Sequence, residues 1–417
     1  MDNAKHGKFL HWTTSYGWLL VVSFALVLPL RHTFELPMAV MAVAGLWLLI
    51  SQTRAVMAAP AGKPFLVMGA CLWLPMLASL PDAVNFSRAM YTTLVFLRFP
   101  LAAIFVMFAL QTADSRRHLL LWLGWAMSLN AVCVVIQALL EHAGLAGGPN
   151  LFSGLRGLGF AMAVLSPVYL YWLWRVAQQW RWIWLLLPVY LVDVFLCGRR
   201  AAWIMLAVGI ALWVVQLIRV EKVQWRWKSM AALVLSCALA IGAAMQLPEL
   251  SVRVSQTAGL FSGNYEQTNN ATSLRLPIWK VAVRVARDHW INGIGPRGFR
   301  YIYKQYGEKD DPFLADNPKV GPTHPHQLLL EIATETGLIG VVGYLIALVY
   351  WLRLALAAAR EKMHQALPFM AAVLIAIMPI NAHMAFYASF WSCITWWLIM
   401  LSLAFWQPSR DARAESA

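Results

Sequence analysis

Two histidines and a few arginines are the side chains of this sequence with a legible chemistry. His324 and His326 stand in His324-Pro-His-Gln-Leu-Leu-Leu-Glu-Ile-Ala-Thr-Glu-Thr-Gly-Leu-Ile-Gly340, where the only long polar segment gives way to a renewed apolar run. An imidazole with an ordinary pKa of about 6.5 accepts a proton near neutrality. Arg199 and Arg200 adjoin in a very short connection between two apolar runs, Arg275 lies near the start of a periodic stretch of the polar segment, and Arg98 lies inside an apolar run. A guanidinium stays charged at any working pH, and its planar fork matches phosphate oxygens. A base and fixed cations at a membrane surface would serve a reaction on an anionic substrate.

The elements that must hold these groups are membrane helices. Of 417 residues, 60% are hydrophobic and only 12% charged, which excludes a soluble enzyme and predicts an all-α, polytopic helix bundle. Apolar segments of spanning length fall near 16–30, 36–51, 64–80, 91–111, 118–140, 158–174, 182–197, 201–218, 229–246, 338–358, 365–387 and 389–406. They divide the chain into about 12 spans: nine within 1–246, a large, partly helical outer loop at 247–327, and three more with a tail in 328–417. Lys5 and Lys8 precede the first run without a small-x-small cleavage pattern, so an uncleaved first span is expected. The five cysteines fall in or beside apolar runs and read as small buried residues.

The net charge of +14 is dispersed over short connections and carries no nucleic-acid motif. Lys and Arg crowd alternate connections, from Arg54 and Lys63 to Arg353 and Arg360, which places both termini in the cytoplasm and the 247–327 loop outside. Arg199 and Arg200 oppose that bias. They would contact either a phospholipid headgroup or an anionic substrate. Arg98 and Asp193 each cost about 2.5–3.5 kcal/mol inside a membrane, and pairing with one another would relieve this as well as a substrate role would.

Wound at ~100° per residue, a helix from the histidines would align His326 with Leu330, Ala333, Gly337 and Gly340, a small-residue seam that leaves Glu331 and Glu335 pointing elsewhere. In the loop, the same winding from Leu274 to Trp290 sets Lys280, Arg284 and Arg287 on a solvated face and turns Arg275 inward with Trp279. The glycines of Gly293-Ile-Gly-Pro-Arg-Gly-Phe299 permit close backbone approach to a ligand. Asp310, Asp311 and Asp316 do not form the Asp-x-Asp pair that holds a metal against a diphosphate.

Several of these stretches resemble the O-antigen ligase and polymerase superfamily of integral-membrane glycosyltransferases. His326, Gln327, Leu330, Glu335, Gly337 and Gly340 satisfy its His-polar-x-x-Leu-x-x-x-x-Glu-x-Gly-x-x-Gly pattern, with Gln327 where Asn or Ser is commoner. Gly293–Phe299 is similar to its Gly-x-Gly-Pro-Gly-x-Phe turn, with Arg297 in place of Gly. Leu274–Trp279 is similar to its Arg-x-x-x-Trp element, and Gly198-Arg199-Arg200-Ala201 to its Gly-Ser-Arg-Gly/Ala element.

The resemblance implies an enzyme of lipopolysaccharide biosynthesis in the bacterial inner membrane. Its donor would be undecaprenyl-diphosphate-linked O-antigen and, for a ligase, its acceptor lipid A–core. Such a donor is already activated, so the enzyme must neutralise the departing diphosphate and deprotonate an acceptor hydroxyl. Arg200 and Arg275 are expected to hold the diphosphate and His326 to be the base, without metal or cofactor. His324 is the rival base, and Arg199, Arg297 and Arg98 are secondary candidates. The single large loop is most like a ligase, and a polymerase or protein-glycosylating enzyme is the alternative within the superfamily. A transporter is the alternative from another class, but the sequence shows no inverted repeat or pair of broken spans.

Overall fold

In lipid the backbone must satisfy its own hydrogen bonds, so the apolar runs of this chain wind into helices. The computed structural model describes residues 2–142, 155–223, 255–309, 311–316, 321–379 and 385–407, together with isolated positions between 235 and 252. The first half contains α1 (Asp2–Val27), α2 (Glu35–Ser51), α3 (Thr53–Met57), α4 (Gly62–Ala78), α5 (Phe86–Val95), α6 (Arg98–Ala109), α7 (Ala113–His142), α8 (Leu155–Ala177), α9 (Leu186–Leu196) and α10 (Arg200–Arg219). The long polar segment holds α11 (Tyr265–Ala271), α12 (Arg275–Asp288), α13 (Phe299–Tyr306) and α14 (Pro312–Asp316). The chain returns to the bundle through α15 (Leu328–Arg360), α16 (Ala366–Ala376) and α17 (Ser389–Phe405).

The protein is therefore an all-α polytopic bundle, with no strand among the described residues. Among the described residues, six helical stretches are long and apolar enough to cross a membrane, with α5 and α6 together forming one of them, and four apolar helices are shorter. Each expected span has a helical counterpart except that at 229–246, which lies largely outside the described residues. Asp310 and Cys237 also lie outside them.

Backbones pack closely where side chains are small. A Cβ on Gly45 of α2 would overlap the Leu101 carbonyl of α6, and one on Gly343 of α15 would overlap the Cys71 carbonyl of α4. Between these contacts the core is filled by large rings, among them the fully buried Trp172, Trp351, Trp391 and Trp397. The loop carries a smaller core of its own: Ile278, Val281 and Val285 of α12 pack with Ile294, Phe299 and Tyr303, and Leu330 at the head of α15 joins it. That contact fixes the loop to the bundle beside the histidines.

Candidate active site

The site is built on a break in α15. Gly337 has φ 62°, a left-handed residue inside a right-handed helix, so the backbone groups around it need other partners. Segment 290–295 supplies them. Ile294 and Gly295 donate their N–H groups to the carbonyls of Thr334 and Glu335, both at 2.9 Å, and Leu338 N–H donates to the Trp290 carbonyl at 2.7 Å. Gly293, at φ 72°, lies so close that a Cβ would sit 2.5 Å from the Glu335 carbonyl carbon, while a Cβ on Gly337 would overlap the Ile291 carbonyl oxygen. Of the glycines in this turn, Gly293 packs against the helix, and a Cβ on Gly295 would overlap Ala83 instead. Gly337→Ala is expected to cost about 2–4 kcal/mol, combining left-handed strain with overlap. Thermal unfolding in detergent would read this as a clear drop in midpoint, and a wild-type midpoint would refute the interlock.

Two fully buried carboxylates tie further segments to the same helix. Glu335 Oε2 accepts from the backbone N–H of Arg297 at 2.6 Å, and Glu331 Oε2 accepts from Phe386 N–H at 2.8 Å. Arg297 is left-handed at φ 64°, a position at which glycine carries no strain, which gives a physical reason for the commoner glycine there. Through its backbone N–H, Arg297 ties this turn to α15. A small-residue seam does not reveal this work of the carboxylates; their spacing of four on one helix is the signal in the sequence.

His326 does not head the helix. It is left-handed at φ 54° and stands between Pro325 and Gln327, the N-cap of α15. Gln327 Oε1 accepts from Leu330 N–H at 2.6 Å and its Nε2 donates to the Pro379 carbonyl at 2.9 Å. The predicted alignment of His326 with Leu330, Ala333, Gly337 and Gly340 is thus corrected, because a left-handed residue cannot continue the right-handed winding. The imidazole is held instead by its loop. Its ring centroid lies 3.8 Å from that of His324, and His324 Nδ1 is 2.8 Å from Thr323 Oγ1. His324 is buried and His326 half-buried, so His326 is the more accessible of the two.

The histidine loop is joined to the cations through α12. Trp279 Nε1 donates to the Pro325 carbonyl at 3.1 Å, and Arg275 lies one turn before Trp279 on the same face. Two left-handed residues, Ser273 and Leu274, precede Arg275, and Arg200 Nη2 reaches Ser273 Oγ at 3.3 Å. The starts of α10 and α12 therefore meet. Burial pushes Arg275 down to about 10, and the charges of Arg199 and Arg200 push it the same way. A depressed value in a cation means that the folded protein disfavours its charged form. The resulting cost to stability is fully present at neutral pH and is released only as pH rises through about 10. An anion with two or more charges would relieve it.

Other candidates lie apart. Arg98 donates to Ser389 Oγ at 2.8 Å and lies 3.8 Å from a Glu35 oxygen, so it does not pair with Asp193. Asp193 is buried in α9, and neither of its oxygens has a hydrogen-bond partner among the described residues. The face of α12 expected to be solvated is partly tied down: Lys280 and Arg284 both contact Glu308, and Lys280 stands over the Tyr265 ring. Asp311 accepts from the Tyr303 hydroxyl at 2.8 Å and from Phe313 N–H at 2.9 Å, so it is engaged in structure.

The fold and site define a multi-pass membrane protein with clustered arginines and a histidine pair at one end of its bundle. Residues 183–345 match the family model described as O-antigen ligase, which supports membership of the O-antigen ligase superfamily. That span includes Arg199, Arg200, Arg275 and both histidines. The family supports an activity of the O-antigen ligase or polymerase type on lipid-linked glycans. No curated protein matches the chain.

Proposed function

We propose that the protein is an inverting, metal-independent O-antigen ligase that transfers glycan from undecaprenyl diphosphate to a sugar hydroxyl of lipid A–core at the periplasmic face of the inner membrane. The observation that carries this reading is the convergence of Arg199, Arg200 and Arg275 next to the segment that bears His326. The acceptor oxygen attacks the anomeric carbon as the bond from that carbon to the diphosphate oxygen breaks. His326 takes the acceptor proton, and undecaprenyl diphosphate leaves with the bonding electrons, its charge held by Arg200 and Arg275. A single displacement inverts the anomeric centre. Arg199 adds to the field, His324 packs against the base, and Arg297 and Arg98 hold the scaffold. With a dense cluster of permanent cations available, a divalent metal is not needed to neutralise the leaving group.

The test is reconstitution of the purified protein in lipid with the donor and lipid A–core, in EDTA, with the product resolved by mass. Glycan joined to lipid A–core is the expected product. An absolute metal requirement would overturn the electrostatic assignment, and glycan extended on a second lipid-linked unit would identify a polymerase instead.

A further inference from the structure

The opposite ends of α10 and α15 frame a second cationic groove, 20 and 33 helical residues away from the ends that carry the site. It encloses about 550 Å³ and lies among the ends of α7, α8, α15 and α17. Arg116, Arg175 and Lys362 line its rim, and Tyr171, Met363 and Phe405 give it an apolar wall. Two acids share the described lining, and Glu221 lies 2.7 Å from His364, a pair that is ionic only when the histidine is protonated, so Arg116, Arg175 and Lys362 stand against Glu221 and Glu361 and leave the groove with a positive excess. Arg116 is anchored by the Leu110 and Gln111 carbonyls at 3.0 and 3.1 Å, and Arg175 projects outward over the Trp174 ring.

The backbone gives an independent sign. Helix α15 ends in a Schellman turn: Met363 N–H reaches the Ala358 carbonyl at 2.9 Å and Lys362 N–H the Ala359 carbonyl at 3.2 Å. Glycine normally takes the left-handed position of this turn, yet Lys362 occupies it at φ 54°. Close by, just past the end of α10, Lys222 is also left-handed, at φ 51°. The two ends are joined, since Gln216 Nε2 donates to the His364 carbonyl at 3.0 Å. Lysine at a strained backbone position on the groove's lining, where glycine would carry no strain, points to work by the side chain.

We propose that this groove is a binding site for the phosphate headgroup of an anionic phospholipid, with acyl chains running down the apolar wall. Cations at the mouth of an interhelical groove, above an apolar wall at a membrane surface, match both parts of such a lipid. A free phosphate would match only the first. The site is separate from the transfer chemistry and does not depend on the proposed function.

The experiment is native mass spectrometry of the full-length protein with phosphatidylglycerol, phosphatidylcholine or inorganic phosphate. Phosphatidylglycerol should bind in preference to phosphatidylcholine, and millimolar phosphate should not displace it. Each cation near an anionic headgroup is worth about fivefold in affinity, so Arg175→Gln with Lys362→Gln should weaken binding about thirtyfold. Arg54→Gln with Arg117→Gln, which removes two exposed cations outside the lining, should not. Lys362→Gly guards against a folding artefact, because it relieves the left-handed strain: its thermal midpoint should equal or exceed wild type while phosphatidylglycerol affinity falls. Equal binding of the two lipids, equal loss in the control variant, or unchanged affinity in Lys362→Gly would each overturn the proposal. Displacement by phosphate would overturn the lipid as the source of the anion.

Discussion

His326→Ala is expected to lower glycan transfer by about 10²–10⁴-fold, the usual effect of removing a general base. Donor affinity should stay near wild type, because the base acts on the acceptor proton and not on the diphosphate. His324→Ala should have the smaller effect, since His324 is buried, lies beside Thr323 and packs its ring against that of His326. Turnover and donor affinity measured for both variants in one lipid preparation decide the matter. Loss confined to His324→Ala would exchange the two roles, and near-normal turnover in both would remove the pair from the chemistry. Because Glu331 and Glu335 are buried and engaged by the backbone N–H groups of Phe386 and Arg297, no carboxylate of α15 is expected to substitute for the base.

Arg275→Gln is expected to weaken donor binding by about 10–100-fold, the loss of a charge-assisted, bidentate contact. The same substitution should leave the thermal midpoint of the donor-free protein unchanged or raise it. The reason is electrostatic: three guanidinium groups are crowded together, and Arg275 is charged at neutral pH against burial and against Arg199 and Arg200. Wild-type protein should accordingly gain more stability from added donor than the variant does. Arg200→Lys should also lose much of the rate, because a point charge cannot reproduce the guanidinium fork. A large drop in midpoint for donor-free Arg275→Gln would make Arg275 a structural residue, and unchanged donor affinity in both arginine variants would take the diphosphate elsewhere.

Much of the architecture could be read from composition and spacing. Membrane spans announce themselves through long apolar runs, because lipid demands internally bonded backbone and tolerates few charges. The inward turn of Arg275 with Trp279 followed from helical winding alone, and Trp279 does reach the histidine loop. Reading failed where the winding stops. Winding carried back from Leu328 would take His326 into the helix, whereas the N-cap at Gln327 and the left-handed backbone at His326 set the loop apart. Arg98 and Asp193 were each costly in the membrane and so were natural partners, yet Glu35 and Ser389, distant in sequence, take Arg98 instead.

The sequence by itself determined that the chain crosses a membrane repeatedly, that one long polar segment interrupts the spans, and which few histidines and arginines are candidates for chemistry. These follow from residue type and local period, which need no knowledge of distant neighbours. Tertiary structure decided what meets what. Segment 290–295 completes the backbone of α15 at Gly337, and the start of α10 comes to the start of α12 so that three cations share one place. Such meetings depend on hydrogen-bonding groups left open by a break and on backbones that approach only where a side chain is missing, and neither leaves a period in the sequence.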